Sequence, residues 1–245
     1  FPALAELQRG LVADREKLGG DGGHGEENER RTGKVQPRRL KSCGMLLERG
    51  ARMARLGGMK KGFKEWQVVC DALATGRQSI ILRKGGIHEG REGFSFGAES
   101  FFLFPTRFHN QGQFVKEGEV DPQPEWEVGD EVAITHHCEA LWAKTLTDWE
   151  AVAALEPYHI WTEDTVRQRF DWEGKGMSAG SIHVALVRLR KLEHPWVFPY
   201  EKKYGGCRSW IDLPEPPEGW EENCGFPVGD DAFASLDDRL RSLIE

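Results

Sequence analysis

Ser181-Ile182-His183-Val184-Ala185-Leu186-Val187-Arg188-Leu189-Arg190-Lys191-Leu192 alternates in the manner of an extended chain. Ala185, Val187 and Leu189 fall on one side of an extended chain, and Val184 and Leu186 on the other. The alternation is good enough for a strand. Towards its end Arg188 and Arg190 share one face. Other strand signals surround it. Glu65 to Leu73 and Ser79 to Gly86 are two apolar runs around a Gly76-containing turn, and read as a β-hairpin. Phe101-Phe102-Leu103-Phe104 before Pro105 reads as a third strand. Val132 to Ile134 and Ala140 to Leu146 supply two more, and Ile211-Asp212-Leu213 closes the series.

Helical signals sit between the strands. Asp148 to Leu155 is Ala-rich and stops before Pro157. Thr162 followed by Glu163 and Asp164 is a helix start with acids in the first turn. That helix carries Val166 and Phe170 inward, with Arg167 and Arg169 beside them. About six strands and two or more short helices predict an α+β fold, with a mostly antiparallel curved sheet or small barrel.

Composition divides the chain. All nine tryptophans follow residue 59, and Phe1 is the one aromatic residue before it. Residues 2–18 carry a helical leucine spacing. Residues 19–42 hold almost nothing apolar, too little to offset the entropy of ordering. The expected organisation is a disordered or non-native extension over 1–58 with Met59 as the start, one domain over 59–213, and an acidic linker and C-terminal helix over 214–245. That last helix places Phe233, Leu236, Leu240 and Leu243 on one face, to dock on the domain or on a partner protein.

The net charge of −7 is unevenly spread. Residues 1–58 hold 12 Lys and Arg against 8 Asp and Glu, residues 59–213 hold 19 against 23, and residues 214–245 hold 2 against 9. Broad steering towards polyanions is therefore not expected, and any nucleic-acid binding must use a local patch. No stretch approaches the ~20 apolar residues of a membrane span. Five cysteines with no C-x-x-C pair argue against a disulfide scaffold or zinc ribbon, and fit a reduced, cytoplasmic protein.

Four blocks carry a family resemblance. They are Phe63-Lys64-Glu65-Trp66 with Leu82-Arg83-Lys84-Gly85-Gly86-Ile87, then Phe102-Leu103-Phe104-Pro105-Thr106 with His109. The third is Ile160-Trp161 with Arg169-Phe170 and Trp172, and the fourth Tyr204-Gly205-Gly206-Cys207-Arg208-Ser209-Trp210-Ile211-Asp212-Leu213. In this order and spacing, residues 63–213 resemble the family catalogued as domain of unknown function 1802. The resemblance implies bacterial relatives, some fused to restriction-endonuclease-like domains, and so a link to DNA restriction-modification by analogy alone. Trp126 to Ile134, with its Gly129-Asp130 turn, is similar to the strand start of small PUA-like barrels, which bind RNA or modified bases.

The chemistry-bearing residues point first to recognition. Leu186 to Trp210 interleaves Arg188, Arg190, Lys191, Lys202, Lys203 and Arg208 with Trp196, Phe198, Tyr200, Tyr204 and Trp210. Cations meet phosphates while aromatic faces stack on unpaired bases. The bland alternative is a loop whose aromatics anchor it to the core while its cations stay solvated. Arg83-Lys84-Gly85-Gly86 is a cationic turn where a phosphate can approach backbone, although it lacks the Walker A spacing. The candidate ligand residues are Arg83, Lys84, His109, Arg188, Arg190, Lys202, Tyr204 and Arg208. No cofactor or metal is expected. His136-His137-Cys138-Glu139 lies on a strand, whose neighbours face opposite sides and do not share a metal. The leading reading is a non-catalytic nucleic-acid or nucleotide recognition module. The alternative is a small hydrolase or nuclease using Glu65, His109 or Cys207.

Overall fold

The computed structural model describes residues 61–84, 100–108, 110–116, 118, 124–222 and 224–245. The readings made for 1–58, for Gly85-Gly86 and for His109 lie outside the described residues.

Six strands form one sheet: β1 Lys61–Trp66, β2 Ile80–Lys84, β3 Ser100–Thr106, β4 Glu131–Leu146, β5 Ile182–Pro199 and β6 Trp210–Asp212. Their order is β2-β5-β4-β3-β1-β6. Every pairing is antiparallel except β1 with β3. The α-helices are α1 Gln67–Ala74, α2 Trp149–Ala153, α3 Glu163–Phe170 and α4 Asp230–Ile244. The fold is α+β with a mostly antiparallel sheet, as the strand count predicts. Among the described residues no helix is long and apolar enough to cross a membrane.

The hairpin expected over residues 65–86 does not form. Glu65 and Trp66 end β1, and the run after them, with Val68, Val69, Ala72 and Leu73 buried, is helix α1. That spacing returns the same face every turn, as a helix requires. Gln67 Nε2 donates to Asp71 Oδ1 one turn later at 2.9 Å. A short apolar run cannot by itself distinguish a strand from a buried helix, and tertiary packing decided here. β2 consequently pairs with β5, not with β1.

The two strands expected over 132–134 and 140–146 are one continuous β4, and β5 runs on past Leu192 to Pro199. Their ladder extends from Glu131 opposite Pro199 to Leu146 opposite Ile182. Its register shifts between Ile134 and His136 and again between Ala140 and Trp142. Such bulges bend a strand and raise its twist, and here they divide the long ladder into segments serving two cores. One core holds Phe63, Phe101, Trp161, Phe170 and the inner faces of α1 and α4. The other gathers Phe102, Phe104, Val132, Ile134, Trp196, Phe198 and Tyr204.

Helix α3 is placed by its cap and by one close approach. Thr162 Oγ1 accepts from Thr165 N–H at 3.3 Å. A Cβ at Gly180 would fall 2.4 Å from the Phe170 ring, so the chain leading into β5 can lie against α3 only because Gly180 lacks one. In the C-terminal segment, Phe233, Leu236, Leu240 and Ile244 of α4 are buried. Trp142 Nε1 donates to Asp237 Oδ1 at 2.7 Å. The apolar face that the sequence offered to a partner is covered by the domain itself.

Candidate nucleic-acid interface

β2 and β6 are the two ends of the strand order, and β1 lies next to β6. Side chains nonetheless join β2 to β1. An Arg83 Nη2 N–H donates to the backbone carbonyl of Lys64. The same guanidinium stands 3.5 Å from Glu65 Oε2 and 4.5 Å from the centroid of the Phe63 ring. The sheet thus curls until β2, at one end of the order, meets β1 through side chains, and among the described residues no ladder of backbone hydrogen bonds joins the two.

This seam collects charge. Glu65 is only 2% exposed, and its Oε1 accepts from Trp66 N–H at 2.8 Å. Arg169, from α3, comes to the same place. Its Nη1 donates to Leu82 O at 3.1 Å, and its guanidinium lies 3.7 Å from the Trp161 ring centroid and 5.3 Å from that of Trp66. Burial draws the Arg169 guanidinium down to about 10, against the pull of Glu65, while Arg83 adds repulsion. Lys64 Nζ donates to Gly206 O at 2.6 Å, and burial lowers its ammonium, with Arg208 and Arg83 adding repulsion and Cys207 opposing them. Lys84 Nζ sits 3.2 Å from the centroid of Trp172, a tryptophan that is 55% exposed. Arg208, at the rim, donates to Lys203 O at 2.8 Å.

Of the residues nominated from sequence, Arg83, Lys84 and Arg208 therefore meet at this seam. Lys202 is exposed on the short 3-10 turn Lys202–Tyr204 that leads towards Arg208. Arg188 and Arg190 share a face, as alternation requires, but in other surroundings. Arg188 pairs with Asp230 at the start of α4 and lies 4.1 Å from the Phe226 ring centroid. Arg190 pairs with Glu139 across the ladder at 2.6 Å. These two arginines hold the C-terminal segment and β4. Tyr204 is 1% exposed, packed among Phe104, Phe198 and Tyr200, so its ring offers no surface to a base. It is a core residue.

Three site residues escaped the sequence reading: Lys64, Arg169 and Trp172. A signal for Arg169 existed. Thr165, Val166, Arg169 and Phe170 share one helical face, and three of them are buried. A cation on the buried face of a short helix marks a site where it is needed. For the hydrolase reading, Glu65 Oε1 already accepts a backbone N–H and Oε2 faces Arg83, which commits the carboxylate to charge pairing. Cys207 is exposed near Lys64 and Lys84. Among the described residues, no group of three or more His, Cys, Asp or Glu side chains gathers to hold a metal ion.

No curated protein matches the chain. Among solved structures it is similar to ASCH from Zymomonas mobilis, with 10% identity and a TM-score of 0.36, over 63% of this chain and 87% of that one. A mutant of the same Zymomonas mobilis protein gives 11% identity and a TM-score of 0.35, over 64% of this chain and 91% of that one. No residue role is taken from either. The family model for DUF1802, a domain of unknown function, matches residues 62–238, running past Leu213 into α4. The chain belongs to the DUF1802 family.

Proposed function

We propose that this chain is a non-catalytic module that recognises nucleic acid or a nucleotide at the β1–β2 seam. One observation carries the reading: the Arg83 guanidinium stands 3.5 Å from the buried Glu65 carboxylate, and a second guanidinium, Arg169, bonds the Leu82 carbonyl one residue before Arg83. Buried charge is costly unless paired. Lys84 adds an ammonium on the Trp172 ring, and Lys64, on the other face of β1, adds one at Gly206. The surplus is positive in a region whose overall charge is slightly negative, so it calls for an anion there and not over the whole surface. Trp172 adds an exposed ring next to those cations, which suits a base beside its phosphate. Arg208 and Lys202 extend the cationic rim. A connection to DNA restriction rests on family resemblance alone.

The test is binding of the full chain to single-stranded, duplex and base-modified oligonucleotides across a salt series. Lys84→Ala and Arg208→Ala should each reduce the salt slope by about one unit. Trp172→Ala should weaken binding by roughly 1–3 kcal/mol with little change in slope. Wild-type affinity and slope in all three variants would refute the placement at the seam.

A further inference from the structure

The seam has more donors than an internal phosphate can use. Arg83 Nε–H and Trp161 Nε1–H are both buried without a protein acceptor. Arg169 commits Nη1 to Leu82 O, and its remaining N–H groups flank the same Trp161 ring. The Lys84 ammonium stands beside them, close enough to Arg83 and Arg169 to be repelled by both. An internal phosphodiester carries one negative charge and two terminal oxygens. A phosphate monoester carries about −1.5 to −2 and three acceptor oxygens. Arg83 beside Glu65, Arg169 on the Trp161 ring and Lys84 on the Trp172 ring outnumber that one carboxylate, a surplus that the monoester neutralises better. The floor beneath is solid core, with Phe63 at 0%, Trp161 at 1% and Glu65 at 2% exposure.

We infer that the seam formed by Arg83, Arg169 and Lys84 takes a phosphate monoester, carried by a nucleotide whose base lies on Trp172. This rests on the proposed recognition reading and narrows it to a terminal phosphate. Two sources present that chemistry, a free nucleoside monophosphate and a phosphorylated strand end, and the experiment separates them.

The full chain is titrated by fluorescence anisotropy with two labelled single strands that differ only in a 5′-phosphate or a 5′-hydroxyl. Adenosine monophosphate, adenosine and inorganic phosphate serve as competitors. The phosphorylated strand should bind about tenfold tighter, the value of one charge-assisted contact set. Lys84→Ala and the charge-preserving Arg169→Lys should each erase most of that preference. Trp172→Ala should weaken competition by the monophosphate and leave that of inorganic phosphate unchanged. Displacement of the phosphorylated strand by adenosine monophosphate, but not by adenosine, makes the free nucleotide a competent source. Failure of the monophosphate to compete assigns the seam to strand ends. Equal binding of the two strands overturns the monoester inference while leaving nucleic-acid recognition intact. Failure of both strands beside direct binding of the monophosphate, read from tryptophan fluorescence, overturns strand recognition and keeps the monoester site. Binding of no probe overturns both.

Discussion

Arg83 Nη2 lies 3.5 Å from Glu65 Oε2, and this contact joins strands separated by three others in the sheet. Glu65 also attracts the Arg169 guanidinium through space. Its loss leaves Arg83 without its carboxylate. Glu65→Gln should destabilise the fold by about 3–5 kcal/mol, the usual cost of removing one partner of a buried ion pair. Chemical denaturation of wild type and variant measures it. A loss below about 1 kcal/mol, the range of surface pairs, would mean that the seam is solvated.

The aromatic cores make a second prediction. Phe104 is fully buried in one core and Trp161 is 1% exposed in the other. Phe104→Ala and Trp161→Ala should each cost about 3–5 kcal/mol. Trp66 and Trp210 are only half-buried, and their truncation should cost less. Urea midpoints at constant m-value report the comparison.

The ends of the chain should respond unequally. Phe233, Leu236, Leu240 and Ile244 are buried with the domain core, each worth about 1.5–3 kcal/mol of burial. Ending the chain at Leu213 should therefore lower the melting temperature severely. Starting it at Met59 keeps all of β1 and should leave the melting temperature unchanged, as the proposed boundary requires. A large drop on removing residues 1–58 would show that the extension belongs to the folded unit.

Three buried histidines predict the pH response. Burial lowers His136 to about 4, His137 to about 3 and His159 to about 3, from 6.5 in an exposed chain, and neighbouring cations add to it. Below pH 6.5 the unfolded chain binds protons that the folded chain refuses. The stability that depends on neutral histidine is thus fully present above pH 6.5 and is lost as the pH falls towards 4 and 3. Each pH unit of that interval costs about 1.4 kcal/mol per histidine. The melting temperature at pH 5 should lie several degrees below that at pH 7. His159→Gln should flatten the dependence. A flat profile in the wild type would show that these rings are hydrated.

Much of the fold was legible because local rules were obeyed. Alternation from Ser181 to Leu192 reads as a strand, and the Thr162 cap with its following acids reads as a helix start, since both signals act over a few residues. The α1 segment was misread because the order of apolar residues satisfies two templates, and only the pairing of β2 with β5 removes one of them. The candidate site was half legible. Arg83, Lys84 and Arg208 stand out as exposed-type cations beside glycines. Arg169 does not, because nothing in its own helix says that its buried face meets Leu82.

Sequence alone reads the strand from Ser181 to Leu192, the helix start at Thr162, the C-terminal helix and the shared face of Arg188 and Arg190. Those are consequences of periods of two and 3.6 residues, which are properties of a single chain segment. Tertiary packing alone sets Arg188 and Arg190 against the C-terminal segment and β4, Tyr204 in the core, and Lys64, Arg83, Lys84, Arg169 and Trp172 around the β1–β2 seam. Those residues come from β1, β2, α3 and the turn after it, up to 108 positions apart from Lys64 to Trp172. Their meeting depends on how far a bulged, twisted sheet curls before its edges touch, a quantity set by the packing of all its strands together.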